Sequence, residues 1–552
     1  MPHPTPDQLN AALVATNPLP VGGGDFGATI NAHGSYSPLS FVLRLSPQVH
    51  RTLATLPRAA IVKSGDVGLE GAQAFSTYLH ETIHWWQHVG STYGLMSSLS
   101  FPSQAHANFS QIKRLISEGM LRKSIRDLST ELKGPSNFET LRGLSNMIVN
   151  NHFDLGAFRS FSYNVANARA VASNPMFQNL GHQIELTYAH NLAAMSGVVD
   201  PEFKLLPDPR TWDKPFDKLR DEKVEGYYYG SRVGLWPLGA REIMEGQACF
   251  SQIQFLHFAS GGKFEWKEFR ALGILHGVYE EAFKIFLERT KIEWPDSVNH
   301  PAVALFLLIC DMAINPSSGF PFDPWPHYQN FIDDTLPGSR FVGLSTMVRL
   351  KYPEALTAIK EYSRLEYEVV SERLSEIMLD ESPLRSAARC EGWARGPMSA
   401  LMDEYRTYNY GPMNFVVRVL LSHFLGFMQD KLKSPEVFCW PGAWMAGDRV
   451  SERIAELFER HGALFVDKED DDGVFPRLRD NYDPQAVQNM FDTFYASTVV
   501  YDMTDQLIRK SGPFDYSFRW LKPSATKDEL KQFADRHFNI VYDIWPDDIP
   551  WM

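Results

Sequence analysis

Cysteine is scarce: only Cys249, Cys310, Cys390 and Cys439 occur in 552 residues, far apart and with no CxxC pair. That argues against a disulfide framework or a thiolate zinc site and predicts reduced, buried thiols. Basic side chains are also few for the length. Lys and Arg number 53 against 66 Asp and Glu, giving a net charge of −13 and a pI near 5.7. A general nucleic-acid binder needs a basic surface to replace phosphate counterions, so that class is excluded as an expectation. Long hydrophobic runs are missing as well. The most apolar stretch, Ala302 to Cys310, is about half the length that a bilayer crossing needs and is followed by Asp311. The opening MPHPTPDQLNAALVATNPLP has no basic start leading into an apolar run, so no secretory signal is read there. Together these predict a cytoplasmic protein with no nucleic-acid and no membrane partner; oligomeric state is left open.

What is present is an ordinary globular balance, 44% hydrophobic and 22% charged residues. The length suits two to four domains or one large enzyme with helical elaborations. Residues 1–65 are rich in Pro, Gly and Ser, with one strand-like run from Leu39 to Leu45, and predict loops and a short sheet. From Leu69 to Ser98 the spacing is helical, with Phe75, Leu79, Ile83 and Trp86 forming an apolar stripe. Further helical patterns run over 105–130, 138–150, 239–260, 265–292, 299–313, 353–380, 413–432, 447–462 and 484–510. The prolines of 315–326 interrupt them, and Asp467 to Gly473 reads as a solvated acidic loop. The fold class is mainly α with a minor β component (α+β). The divisions are 1–65, 66–295 and 296–552, the last a C-terminal helical region.

One pattern carries chemistry: His80-Glu81-Thr82-Ile83-His84. Residues four apart lie on one helix face, so two imidazoles can reach one ion. A Glu directly after the first His projects about 100° around the helix, beside the ion rather than onto it. There it can take a proton from water at the metal's open position and pass it to a leaving amine. The apolar stripe leaves the histidines on another face. His88 continues the histidine face, but it lies about 12 Å along the axis from His80, too far to share an ion. It is expected in the second shell or at the surface.

The flanks sharpen the motif. Thr77-Tyr78-Leu79-His80-Glu81-Thr82-Ile83-His84-Trp85-Trp86 resembles the extended signature of the zincin metallopeptidases over about ten residues. The resemblance implies a zincin-like catalytic core within 66–295, bound Zn2+ with His80 and His84 as ligands, Glu81 as catalytic base, and a protein or peptide substrate. A third His six residues after His84 would mark the metzincin branch, but that position is Gly90. In the glutamate-liganded branch the third ligand lies on a later helix, often reading Glu-Gly-x-Ala. Glu245-Gly246-Gln247-Ala248 matches, with small residues there expected to let the two helices approach. Glu245 is thus the implied third ligand and Glu242 a possible acceptor for a ligand histidine. The spacing from His84 is longer than in the best-known members, and His182, Glu185 and His190 stand in reserve. Tyr227, Tyr228 and Tyr229 are candidate oxyanion stabilisers, with Tyr228 preferred.

Two other readings compete: a di-iron carboxylate oxidoreductase in a helical bundle, using Glu81-x-x-His84 and Glu242-x-x-Glu245, and a non-catalytic binding or regulatory protein on a zincin scaffold. Gly22-x-Gly24-x-x-Gly27 lacks a preceding strand and reads as a loop rather than a dinucleotide site. The acidic run fails as a calcium loop, because Lys468 and Arg479 fall where the first and closing ligands belong.

Overall fold

The computed structural model describes residues 33–56, 68–132, 139–212, 216–217, 235–317, 319–322, 331–479, 481–518, 521–522 and 524–551. Within them the protein is mainly helical, with one four-stranded sheet. The loop reading of Gly22 to Gly27 lies outside the described residues.

The helices include α1 (Gly68–Val89), α2 (Ala240–Ala259), α3 (Val278–Thr290), α4 (Pro301–Ile314), α5 (Phe415–Lys433) and α6 (Pro484–Arg509). In α1 the predicted stripe packs inward, Phe75 against Phe255 and Phe458, and Trp86 against Phe427 and Phe438. The opposite face is covered too: every residue from Gly71 to Val89 is buried except Tyr78. Both faces of α1 are thus covered, and its polar groups face other elements of the protein.

Helix α4 starts at Pro301, whose missing N–H falls where no intrahelical partner exists, and His300 Nδ1 accepts from Ala302 N at 3.1 Å. Ala302 to Ile314 is buried throughout, which accounts for the apolar run without any membrane. No helix among the described residues is long and apolar enough to cross one. Asp311 on α4 takes Lys431 Nζ of α5 at 2.6 Å, deep in the core.

The sheet joins residues 34–45 to residues 465–476. Strands β1 (Gly34–Ser37) and β2 (Val42–Leu45) form an antiparallel hairpin, and β3 (Phe465–Lys468) and β4 (Asp471–Pro476) a second. The hairpins meet in parallel through Val42 with Phe465 and Leu43 with Val466. The acidic run is therefore a hairpin, not a solvated loop. Buried Asp467 accepts from Leu45 N at 3.1 Å and from His50 Nε2 at 2.7 Å, which holds an otherwise soluble segment against β2. One apolar cluster runs from Tyr36 to Tyr495 through all three sequence divisions. A smaller one joins 112–149 to 499–549 around the C-terminal half of α6.

Helices at Leu180–Val199, Pro337–Lys351, Pro383–Arg395, Ser399–Thr407 and Lys527–Tyr542 add to those predicted. Leu180–Val199 is buried on several faces and so lacks the one-sided pattern that periodicity detects. Lys527–Tyr542 does carry signals: Thr526 and Glu529 close a capping box, and Leu530, Ala534 and Phe538 are buried at four-residue spacing.

Burial of neutral histidine makes an acid prediction. His423 is held down to about 3 by burial, its Nδ1–H donating to Val419 O at 2.8 Å, and His106 is held down to about 4, again by burial. The unfolded chain takes up these protons near pH 6.5, whereas the folded one does not. Stability is therefore intact above pH 6.5 and falls below it, by up to about 1.4 kcal/mol per pH unit for each group. Urea midpoints measured from pH 7.5 to 5 should drop, with a shallower slope for His423→Gln. Flat midpoints, or an unchanged slope in the variant, would contradict this.

Candidate metal centre

His80 and His84 lie one turn apart on α1, and α2 crosses opposite them with Glu245. His80 Nε2 and His84 Nε2 are 3.1 Å apart. Glu245 Oε2 lies 3.3 Å from His84 Nε2 and 3.6 Å from His80 Nε2. Bonds of about 2.0–2.1 Å at tetrahedral angles separate neighbouring ligand atoms by roughly 3.3–3.4 Å. The triangle thus has the size of one face of a tetrahedral zinc site. Two imidazoles and one carboxylate, with the fourth position left over, are a donor set that fits zinc. Among the described residues these three form the group able to hold a metal ion.

The electrostatics follow from burial of all three. Burial pushes Glu245 up, but His84 and His80 overcome it and hold the carboxyl well below the usual range. Burial lowers His84, yet Glu245 and Glu81 outweigh it and raise the imidazole to about 9. His80, where burial dominates, is lowered. Without a metal the site is an internal ion pair; a dication would take the place of the proton.

His84 has an amide behind it. Gln87 Oε1 accepts from His84 Nδ1 at 2.8 Å, while its Nε2 donates to Met244 O and Gln247 Oε1 at 2.9 Å each. Gln252 of α2 donates from Nε2 to Ser76 Oγ at 3.1 Å.

Glu81 is 2% exposed, and burial raises its carboxyl to about 8 despite the pull of His84. Strand β1 lies against it: a Cβ on Gly34 would sit 2.7 Å from Glu81 Oε1 and 2.8 Å from its Cγ. Only glycine lets the strand approach this closely. Gly34→Val should displace the carboxylate and lower any turnover by about 100-fold with the metal retained, because a misplacement near 1 Å has that cost. Metal loss, or unchanged turnover, would count against the placement.

His88 is buried rather than at the surface, stacked on Tyr36 at 5.4 Å and 6.2 Å from Tyr163. It is not part of the metal-holding group. Glu242 does not support a ligand histidine. Its Oε2 accepts from Gly239 N at 2.8 Å and its Oε1 from Arg241 Nε at 3.2 Å, so it caps the start of α2. Nor does Gly246 bring α2 towards α1: a Cβ there would meet Phe306 and Ala282, on α4 and α3. His182, Glu185 and His190 lie together on Leu180–Val199, outside the metal-holding group, with His182 Nε2 3.4 Å from Asp154. Tyr227, Tyr228 and Tyr229 fall outside the described residues. The tyrosine the structure does bring to the site is Tyr279 of α3, its ring 6.0 Å from that of His80. Burial and then the charges of Glu245 and Glu81 raise its hydroxyl above the usual range. The chain matches none of the family models, and no curated protein or solved structure matches it.

Proposed function

We propose that the protein is a zinc-dependent metallopeptidase that hydrolyses peptide bonds in a protein or peptide substrate. The observation that carries this reading is the triangle of His80, His84 and Glu245, with edges of 3.1, 3.3 and 3.6 Å, beside the buried carboxylate of Glu81. Zinc held there supplies Lewis-acid polarisation of a scissile carbonyl and makes water more acidic. Glu81 does the proton work. It is the carboxylate directly after a ligand histidine, buried beside the ligand group, which is where a general base can act on water. It accepts the proton of the attacking water and delivers it to the leaving amine. Tyr279, whose ring lies 6.0 Å from that of His80, is the side chain we assign to donate to the oxygen on which negative charge develops.

The di-iron alternative loses its second half, because the carboxylate of Glu242 is engaged in capping α2. A non-catalytic scaffold predicts a different experimental result. The zinc-loaded chain should cleave members of a peptide library, cleavage should stop on chelation, and zinc should restore it. No cleavage by fully loaded protein would favour the scaffold reading.

A further inference from the structure

We propose that Gln87 is a positioning residue: its amide fixes the tautomer of His84 and ties it to the placement of Glu245. This rests on the reading of His80, His84 and Glu245 as a metal site. The amide's orientation is decided by a partner that can only accept. Met244 O is a carbonyl, 2.9 Å from Gln87 Nε2, so the NH2 end faces α2, and Gln247 Oε1 receives the other proton at 2.9 Å. Oε1 then faces His84 Nδ1 at 2.8 Å, and that nitrogen must carry a proton. In the neutral ring the lone pair is left on Nε2, the atom that faces His80 and Glu245. Gln87 is 3% exposed, so water does not compete for these bonds.

Met244 and Gln247 flank Glu245 in sequence. The group that sets the His84 ring therefore also clamps the stretch of α2 that bears the third ligand. Ring and carboxylate are positioned together, by one neutral side chain three residues after His84. Because the amide brings no charge, Glu245 alone supplies a negative charge among the ligands. A dication there keeps a net positive charge, which favours Lewis-acid chemistry.

The test compares zinc affinity, by competition with a chelating dye, in the full chain and in Gln87→Leu, Gln87→Glu and Gln254→Leu. Gln254 is a buried amide of α2 that meets Tyr362 instead, 3.4 Å from its hydroxyl. Gln87→Leu should weaken zinc binding by about 10- to 100-fold. Gln87→Glu should bind zinc more tightly than Gln87→Leu but less tightly than wild type, because a carboxylate still accepts from Nδ1–H of His84 yet sets an unprotonated oxygen against Met244 O. Gln254→Leu should bind as wild type does. In zinc-loaded protein carrying 15N-histidine, the His84 ring N–H should be protected from exchange in wild type and Gln87→Glu, and lost in Gln87→Leu. Unchanged affinity and a retained ring proton in Gln87→Leu would overturn the proposal, as would a Gln87→Glu variant no tighter than Gln87→Leu. If the leucine variant fails to fold, loss of the protected His84 ring N–H in Gln87→Glu alone overturns it, because a carboxylate there still accepts from Nδ1–H. A wild-type chain that takes up no zinc overturns the metal-site reading itself, which separates the two failures.

Discussion

Replacing Glu81 with Gln should lower peptide hydrolysis by about 10^2- to 10^4-fold while metal content stays at the wild-type level. Glutamine keeps the shape of the side chain, so the close approach of Gly34 is undisturbed. It cannot take up a proton. Glu81 lies outside the His80, His84, Glu245 group, so the ligands are unchanged. The two readouts together make the test specific: a fall in activity with loss of metal would indicate a damaged site, not a missing base. Activity retained in Glu81→Gln would mean that another group moves the proton.

The largest expected effect on stability is at Asp311. Its carboxylate receives Lys431 Nζ at 2.6 Å, the Tyr367 hydroxyl at 2.7 Å and Asn315 Nδ2 at 3.1 Å. Asp311 and Lys431 side chains are 6% and 2% exposed. Asp311→Ala leaves a buried ammonium without a counter-charge, and breaking such a pair from one side costs about 3–5 kcal/mol. Removing both charges, as Asp311→Leu with Lys431→Met, should cost clearly less than the sum of the single changes. Urea unfolding of Asp311→Ala, of Asp311→Leu and Lys431→Met singly, and of the double variant measures this directly. A single variant within about 1 kcal/mol of wild type would show that water reaches the pair. Helix α4 packs against α2, so this pair also steadies the element that carries Glu245.

Different parts of the molecule were legible in the sequence for different reasons. The helix of His80 to His84 was legible because its polar and apolar groups recur with the helical period. The mainly helical class with a small sheet was legible as well. Glu245 could be named only through a resemblance in Glu-Gly-x-Ala, since nothing local says which carboxylate crosses a long stretch of chain to reach His84. The structure brings it there, but Gly246 does not play the role expected of it: it faces Phe306 and Ala282 at ordinary contact distance, not α1. Glu242 was misread because a capping carboxylate and a second-shell carboxylate look alike in sequence; the glycine three residues before it is the clue to the cap. Gln87 was missed although it lies one turn beyond His84, because an amide is rarely sought where carboxylates are usual. Gly34 and Tyr279 carry no local signal. Their roles come from long-range packing: a strand laid on Glu81 and a helix set beside His80. The pairing of β2 with β3 is of the same kind, since it joins segments more than four hundred residues apart.

The most direct test of the central claim is the metal content of the purified chain, measured by elemental analysis beside His84→Ala and Glu245→Ala. The account predicts one zinc per wild-type chain and loss of zinc in both variants. No zinc in wild type, two irons per chain, or zinc fully retained in Glu245→Ala would contradict it.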